Sequence, residues 1–355
     1  MDPNIDLTGN LIGADLSGLD LSRGQLRGAD LTGALLMQSD LSGTDLSEAQ
    51  MGLARLSGAA CAGANLTYAK LAGATLSGAD LTGACLVSAD LPLAQIAEAV
   101  LVGADLTLAN LAGANLLMAV LTGAKLHLAN LNLATLARAD LQQADLSRAD
   151  LRSSNLFEAN LSGASLDSAT VTGVNLVQAN LSGASLVAAN LMGSNLIAAN
   201  LSDADLTGAD LTGVNFTNAN LRGADLTGAT LAATILSNTD ISGARLVDCK
   251  WDATMLGNVD LRDLGDFSIG EHVNGSSVGV DTLYLTAGDA TLWEMPEPYR
   301  GFFLACGVNT ELVQAKQVAA LDMLRQVTGE LAGKQQGGIV GASGEAGSLP
   351  PPYEG

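Results

Sequence analysis

The sequence predicts an all-β solenoid, a chain wound into stacked four-sided coils, and three observations carry that reading. An apolar side chain or a thiol recurs at every fifth residue from Leu11 to Leu261, giving 51 consecutive units with no insertion. Leucine fills 44 of these 51 centres, and the exceptions are Met51, Cys61, Ile96, Val171, Phe216, Ile241 and Trp251. The residue two before each centre is mostly alanine, with small substitutes such as Ser154, Thr234 and Cys249. The remaining positions are mainly Asp, Asn, Ser, Thr and Gly. Self-similarity at a fixed period overrules local secondary-structure preference, so the repeat decides the fold.

A period of five matches neither the 3.6 of a helix nor the 2 of a strand. On a helix these leucines would wander around the circumference and bury no single stripe. A chain that turns a corner every five residues instead points the centre and the alanine two before it inward. Four such sides close a coil of 20 residues. Coils stacked at the ~4.8 Å strand spacing pair their backbone groups above and below. Alanine suits the inward position beside leucine because a larger side chain would overfill a narrow core, at about 1–3 kcal/mol. Glycine and short polar residues suit the corners, where permissive backbone angles and local hydrogen bonds are needed.

The composition fits this reading. Among 355 residues, only 3% are aromatic, 48% are hydrophobic and 41 are glycine, a mixture that builds no ordinary globular core. With 16 basic and 37 acidic side chains the formal charge is −21, which disfavours direct contact with nucleic acid or anionic membrane. Cationic partners and DNA-binding proteins suit it better. The start lacks the basic and apolar regions of a signal peptide, and no apolar run reaches ~18 residues, so the expected location is the cytoplasm. Cys61, Cys85, Cys249 and Cys306 form no CxxC pair, so neither a zinc site nor a disulfide framework is expected.

Units such as Ala104-Asp105-Leu106-Thr107-Leu108 and Ala179-Asn180-Leu181-Ser182-Gly183 resemble those of the pentapeptide-repeat proteins. The resemblance covers about residues 9 to 263. It implies a right-handed quadrilateral β-helix of about 13 coils, roughly 60 Å long at ~4.8 Å per coil.

Taken in chain order, residues 1–10 read as a short N-terminal cap, because Leu7 lies four residues before Leu11 rather than five. Residues 11–263 form the rod. Residues 264–332 leave the repeat and gather Phe267, Tyr284, Trp293, Tyr299, Phe302 and Phe303, as a small α/β C-terminal cap would. Within it, Val278 to Leu285 alternates like a strand and Pro296 to Gly307 suggests a short helix or turn. Val313, Ala320, Leu324, Val327 and Leu331 recur at helical spacing behind Asn309 and Thr310, as expected of a helix docked on the rod or on a second subunit. Asp281-Thr282-Leu283-Tyr284, Pro296-Glu297 and Phe303 to Val308 resemble the connector that joins bacterial pentapeptide solenoids to signalling domains such as TIR. Residues 333–355 are Gly- and Pro-rich, with a composition expected to stay disordered or extended. They end in Pro350-Pro351-Pro352-Tyr353, which resembles a WW-domain ligand.

Nothing in the repeat suggests catalysis, a cofactor or a bound metal. The two histidines, His127 and His272, stand apart from any second ligand at metal-binding spacing. Columns such as Asn160, Asn180, Asn200, Asn220, Asp240 and Asp260 recur every 20 residues. Stacked amides can exchange hydrogen bonds, whereas stacked carboxylates repel, so the column reads as structural and solubilising. One side differs from the others. Its outward column one after the centre holds Met37, Leu117, Ala137, Phe157, Val177 and Ile197, and its column one before the centre holds Asn115, Asn155, Asn175, Asn195 and Asn215, with Asp15 its one acid. Scattered surface aliphatics are ordinary, but five in one column read as an interaction surface. These six residues are the candidate partner-binding set, for lateral homodimerisation or protein docking. The resemblance adds a second reading, mimicry of DNA by members that inhibit or protect DNA gyrase. Residues 1–263 carry 26 acids and 12 bases, whereas duplex DNA of that length carries roughly 35 charges. A third reading is end-to-end stacking into fibres.

Overall fold

The computed structural model describes residues 11–268, 270, 275–279, 282, 286, 295, 297 and 299–308. The expected N-terminal cap, the helix at 310–331, His272 and the tail lie outside the described residues. Along the rod, residue pairs 20 apart face each other in parallel bridges, from Asp15↔Leu35 to Thr230↔Lys250. Every centre from Leu11 to Leu261 is buried, as is the small residue two before it in nearly all units. The core is therefore a column of stacked leucines lined by alanines.

The unit Ala179-Asn180-Leu181-Ser182-Gly183 shows why the sequence takes this form. Ala179 N–H closes a local turn on Leu176 O at 3.0 Å, and Asn180 N–H donates back one coil to Ala159 O at 2.9 Å. Leu181 and Gly183 N–H donate forward to Asn200 O and Ser202 O at 2.6 and 2.8 Å. One donor remains, Ser182 N–H, and the Asn180 side-chain oxygen accepts it at 3.2 Å. All five backbone donors are thus paired, as a buried main chain requires. The Asp/Asn preference just before the centre follows from that last bond. It recurs from Asp15 with Ser17 to Asp260 with Arg262. Where the residue after the centre is Ser or Thr, its hydroxyl often adds a second bond to the same carboxylate, as Thr227 does to Asp225 at 2.5 Å.

The second residue after each centre adopts a left-handed backbone, for example Gly183 at φ 63° and Leu93 at φ 59°. Glycine is common there because it bears no Cβ penalty. Where threonine replaces the inward alanine its hydroxyl is satisfied, whereas that of Ser154 is buried without a partner. Thr44, Thr234, Thr239 and Thr254 each donate to a carbonyl 23 residues back, at 2.6–2.9 Å.

The repeat ends by slipping register. Short parallel strands β1 (Ile235–Ser237), β2 (Met255–Gly257) and β3 (Ser277–Val278) form one sheet. Met255 pairs with Ser277, 22 residues on, and Leu246 with Phe267, 21 on. The last coil keeps backbone pairing at β2 but loses it elsewhere, and hydroxyls from the following segment take up N–H groups left over. Ser276, Thr282 and Thr286 accept the N–H groups of Thr254, Val259 and Leu261 at 3.3, 3.0 and 3.2 Å. Helix α1, Tyr299–Ala305, occupies the stretch expected as a short helix. Its buried Phe302 stands edge-on to Trp251, the last aromatic centre, at 5.0 Å, and to Phe267 at 5.5 Å. The strand expected over Val278 to Leu285 is corrected. Strand pairing stops at Val278, and Thr282 already lies in a helical turn, where its hydroxyl can reach Val259.

Candidate interaction surface

Each coil has four corners, made by the two residues after each centre. The candidate column lies at one of them. On one side of this corner run Asn155, Asn175, Asn195 and Asn215, and on the other run Asn160, Asn180, Asn200 and Asn220. The second column is a continuous hydrogen-bonded ladder, and the first is linked at its lowest step. Asn175 Nδ2 donates to Asn155 Oδ1 at 2.9 Å, and Asn180, Asn200 and Asn220 each donate to the asparagine one coil below at 3.1, 3.1 and 2.9 Å. Each amide oxygen also holds a backbone N–H, so the amides are fixed and neutral. Between the two columns stand Phe157, Val177 and Ile197, all half-buried. The charges at this corner, Glu158 and Arg138 one coil below it, neutralise each other in an ion pair at 2.6 Å. A rigid strip without net charge, spanning about four coils, results.

The other members of the set are placed less uniformly. Leu117 is exposed and adjoins the exposed Met118, while Met37 is half-buried several coils away beside Ser17 and Gln38. Ala137 is a correction. It is 8% exposed, because its single methyl sits in the column between the larger Leu117 and Phe157 and does not project past them.

Seven exposed large apolar side chains stand at a position that reading by centre-plus-one misses. Leu53, Tyr68, Leu93, Leu108, Met118, Leu128 and Leu133 all stand two after a centre, and all are exposed. All have left-handed backbones, with φ between 56° and 61°. The signal was present as large residues at a position otherwise held by Gly or a short or polar side chain.

Chemistry is sparse on this surface. His127 Nδ1 lies 2.8 Å from Ser147 Oγ, whose hydroxyl donates to Asp145 at 2.5 Å, so the ring is tied into a column of hydrogen bonds. Burial pushes the Cys61 and Cys249 thiols up to about 12 and that of Cys306 up to about 11, which keeps them protonated and unreactive. Cys85 lies 3.2 Å from Thr67 Oγ1. Among the described residues no cluster of His, Cys, Asp or Glu has the arrangement of a metal site. No helix among them is long and apolar enough to cross a membrane.

A sequence model described as pentapeptide repeats matches residues 25–58, 59–94, 93–127, 129–167, 175–213 and 215–250. The chain belongs to the pentapeptide repeat family. Family membership brings with it the right-handed quadrilateral β-helix. Among solved structures it is similar to HetL of the cyanobacterium Nostoc sp. strain PCC 7120, a pentapeptide repeat protein involved in heterocyst differentiation regulation. The identity is 36% over 62% of this chain and 90% of HetL, with a TM-score of 0.36. A pentapeptide repeat protein of the Arabidopsis thaliana thylakoid lumen is 38% identical over 26% of this chain and 64% of its own, with a TM-score of 0.26. QnrB1, a plasmid-mediated fluoroquinolone resistance protein, is 20% identical over 61% of this chain and 91% of its own, with a TM-score of 0.23. No curated protein matches the chain.

Proposed function

We propose that this pentapeptide repeat protein is a non-enzymatic scaffold of the cytoplasm that docks a protein partner along the corner formed by Phe157, Val177 and Ile197. Leu117 extends the strip at one end. The observation that carries the reading is the pair of asparagine columns, each amide oxygen held by a backbone N–H, that flank an apolar column. An apolar strip between neutral, hydrogen-bonded amides lets a partner bury hydrophobic area without stranding a charge, the more costly event at an interface. Phe157 is the natural anchor, since buried aromatics dominate interface energies. The partner surface that fits is apolar and weakly charged.

The test is capture of partners from the native host on the full chain, followed by binding of the purified partner to wild type and to Phe157→Asp with Val177→Asp. Binding weakened about tenfold or more, with the thermal transition unchanged, supports the docking site. A double variant that binds as tightly as wild type removes it.

A further inference from the structure

We infer that the protein self-associates as an antiparallel, face-to-face dimer through the side of the rod centred on Asn110, a surface separate from the proposed partner corner. Seven large apolar residues occupy left-handed corner positions, and all fall between Leu53 and Leu133. Six of the seven lie on just two corners. Tyr68, Leu108 and Leu128 share one corner, and Leu53, Leu93 and Leu133 share the next; together the two corners bound a single side. Between them run Lys70, Asp90, Asn110, Asn130 and Asp150, each one coil above the last. Each of these leucines is costly twice, since a bulky residue disfavours positive φ and an exposed one forgoes burial. Leu93 is 66% and Leu133 63% exposed. The Asn160 to Asn220 ladder runs on the opposite side of the square, so it stays free when this side is covered.

The occupant that fits is a second copy, and charge selects both its direction and its register. A twofold axis crossing the side at Asn110 turns the partner rod upside down, and residues then meet at heights reflected about Asn110. Lys70, 3.8 Å from Asp90 of its own chain, comes opposite Asp150 of the second copy, which also holds its own Arg152 at 2.5 Å, and Tyr68 comes opposite the second copy's Arg148, a cation–π pairing. Leu108 meets Leu108, Leu93 meets Leu133, and Leu53 comes over Gly173, where no side chain stands in the way. Asp90 faces Asn130 and Glu48 faces Ser168, so no like charges oppose one another. Two parallel rods in register would instead set Asp90 against Asp90 and Lys70 against Lys70. Sliding the antiparallel pair by one coil in one direction sets Asp90 against Asp150, and in the other it moves Lys70 from opposite Asp150 to opposite the neutral Asn130. A self-complementary patch of this kind is what a twofold contact demands. The contact spans about six coil steps, roughly 29 Å along the rod, and is only one side of the coil wide, so it is small beside a standard interface. The dimer is therefore expected to form in the micromolar range.

Sedimentation of the full chain from about 1 to 100 µM tests this. The mass should rise from the 35.8 kDa of one chain towards twice that value. Leu93→Asp with Leu133→Asp should raise the dissociation constant tenfold or more without shifting the thermal transition. Lys70→Asp should weaken the dimer without shifting the thermal transition. Under mild oxidation a mixture of Leu93→Cys and Leu133→Cys chains should cross-link, while either alone, like the unmodified chain, should not. A single-chain mass at every concentration overturns the inference. So does a dimer that survives the paired aspartates, or cross-linking by Leu93→Cys alone. None of these readouts depends on Phe157, so they are separable from partner binding.

Discussion

At the scale of the residue, the repeat is an exercise in satisfying backbone donors. Where Asp or Asn precedes a leucine, its side chain accepts the one N–H that neither the neighbouring coils nor the turn bonds. Asn180 illustrates the consequence, because its amide accepts from Ser182 N–H and from Asn200 Nδ2 while donating to Asn160. At about 0.5–1.5 kcal/mol net per hydrogen bond, Asn180→Ala should destabilise the fold by about 2 kcal/mol in chemical denaturation. Asn180→Asp, which keeps the acceptors, should cost less. The same bonds set the response to acid. The Ser22 hydroxyl and then its N–H lower Asp20 to about 2, and Asp30 and Asp240 are lowered in the same way by Thr32 and Ser242. Carboxylates held below their unfolded value of 3.8 contribute stability that is complete above about pH 4 and lost as pH falls through the folded values. The melting temperature should therefore be flat from neutral pH to about pH 4 and drop between about 4 and 2.

At the scale of the element, the regular coils were legible because every unit repeats one pattern, and the ends were not because they break it. The buried leucines and the glycine-rich corners follow from period five alone. Ser276, Thr282 and Thr286 could not be recognised as caps, since their role depends on which donors the last coil leaves unpaired. Ala137 was misplaced for a related reason, because being outward on a coil does not reveal how far the coils above and below overhang. The left-handed leucines were visible in the sequence as misfits among glycines and polar residues, yet their grouping on one side emerges only when two adjacent corners are read together. Phe302 joins the cap to the rod through Trp251 and Phe267. Phe302→Ala should cost about 3–5 kcal/mol and uncover the end of a solenoid that needs protection there. Scattering at rising concentration should then reveal aggregation absent from the parent chain.

At the scale of the whole molecule, a long stack of near-identical coils offers many columns of side chains and little concavity, so its function is written in which columns depart from the average. Two departures stand out, a neutral corner between asparagine columns and a leucine-bounded side with reflected charges. The negative charge is spread too thinly to imitate DNA well, since residues 1–263 carry a net −14 against roughly 35 charges for duplex of that length. DNA supercoiling by gyrase should accordingly be unchanged at micromolar protein, with or without quinolone. The most direct test of the account is a calorimetric titration of the purified partner into three proteins: wild type, Phe157→Asp with Val177→Asp, and Leu93→Asp with Leu133→Asp. The account expects affinity to fall about tenfold or more for the second and to hold for the third. Equal affinity for wild type and the Phe157–Val177 variant would contradict it.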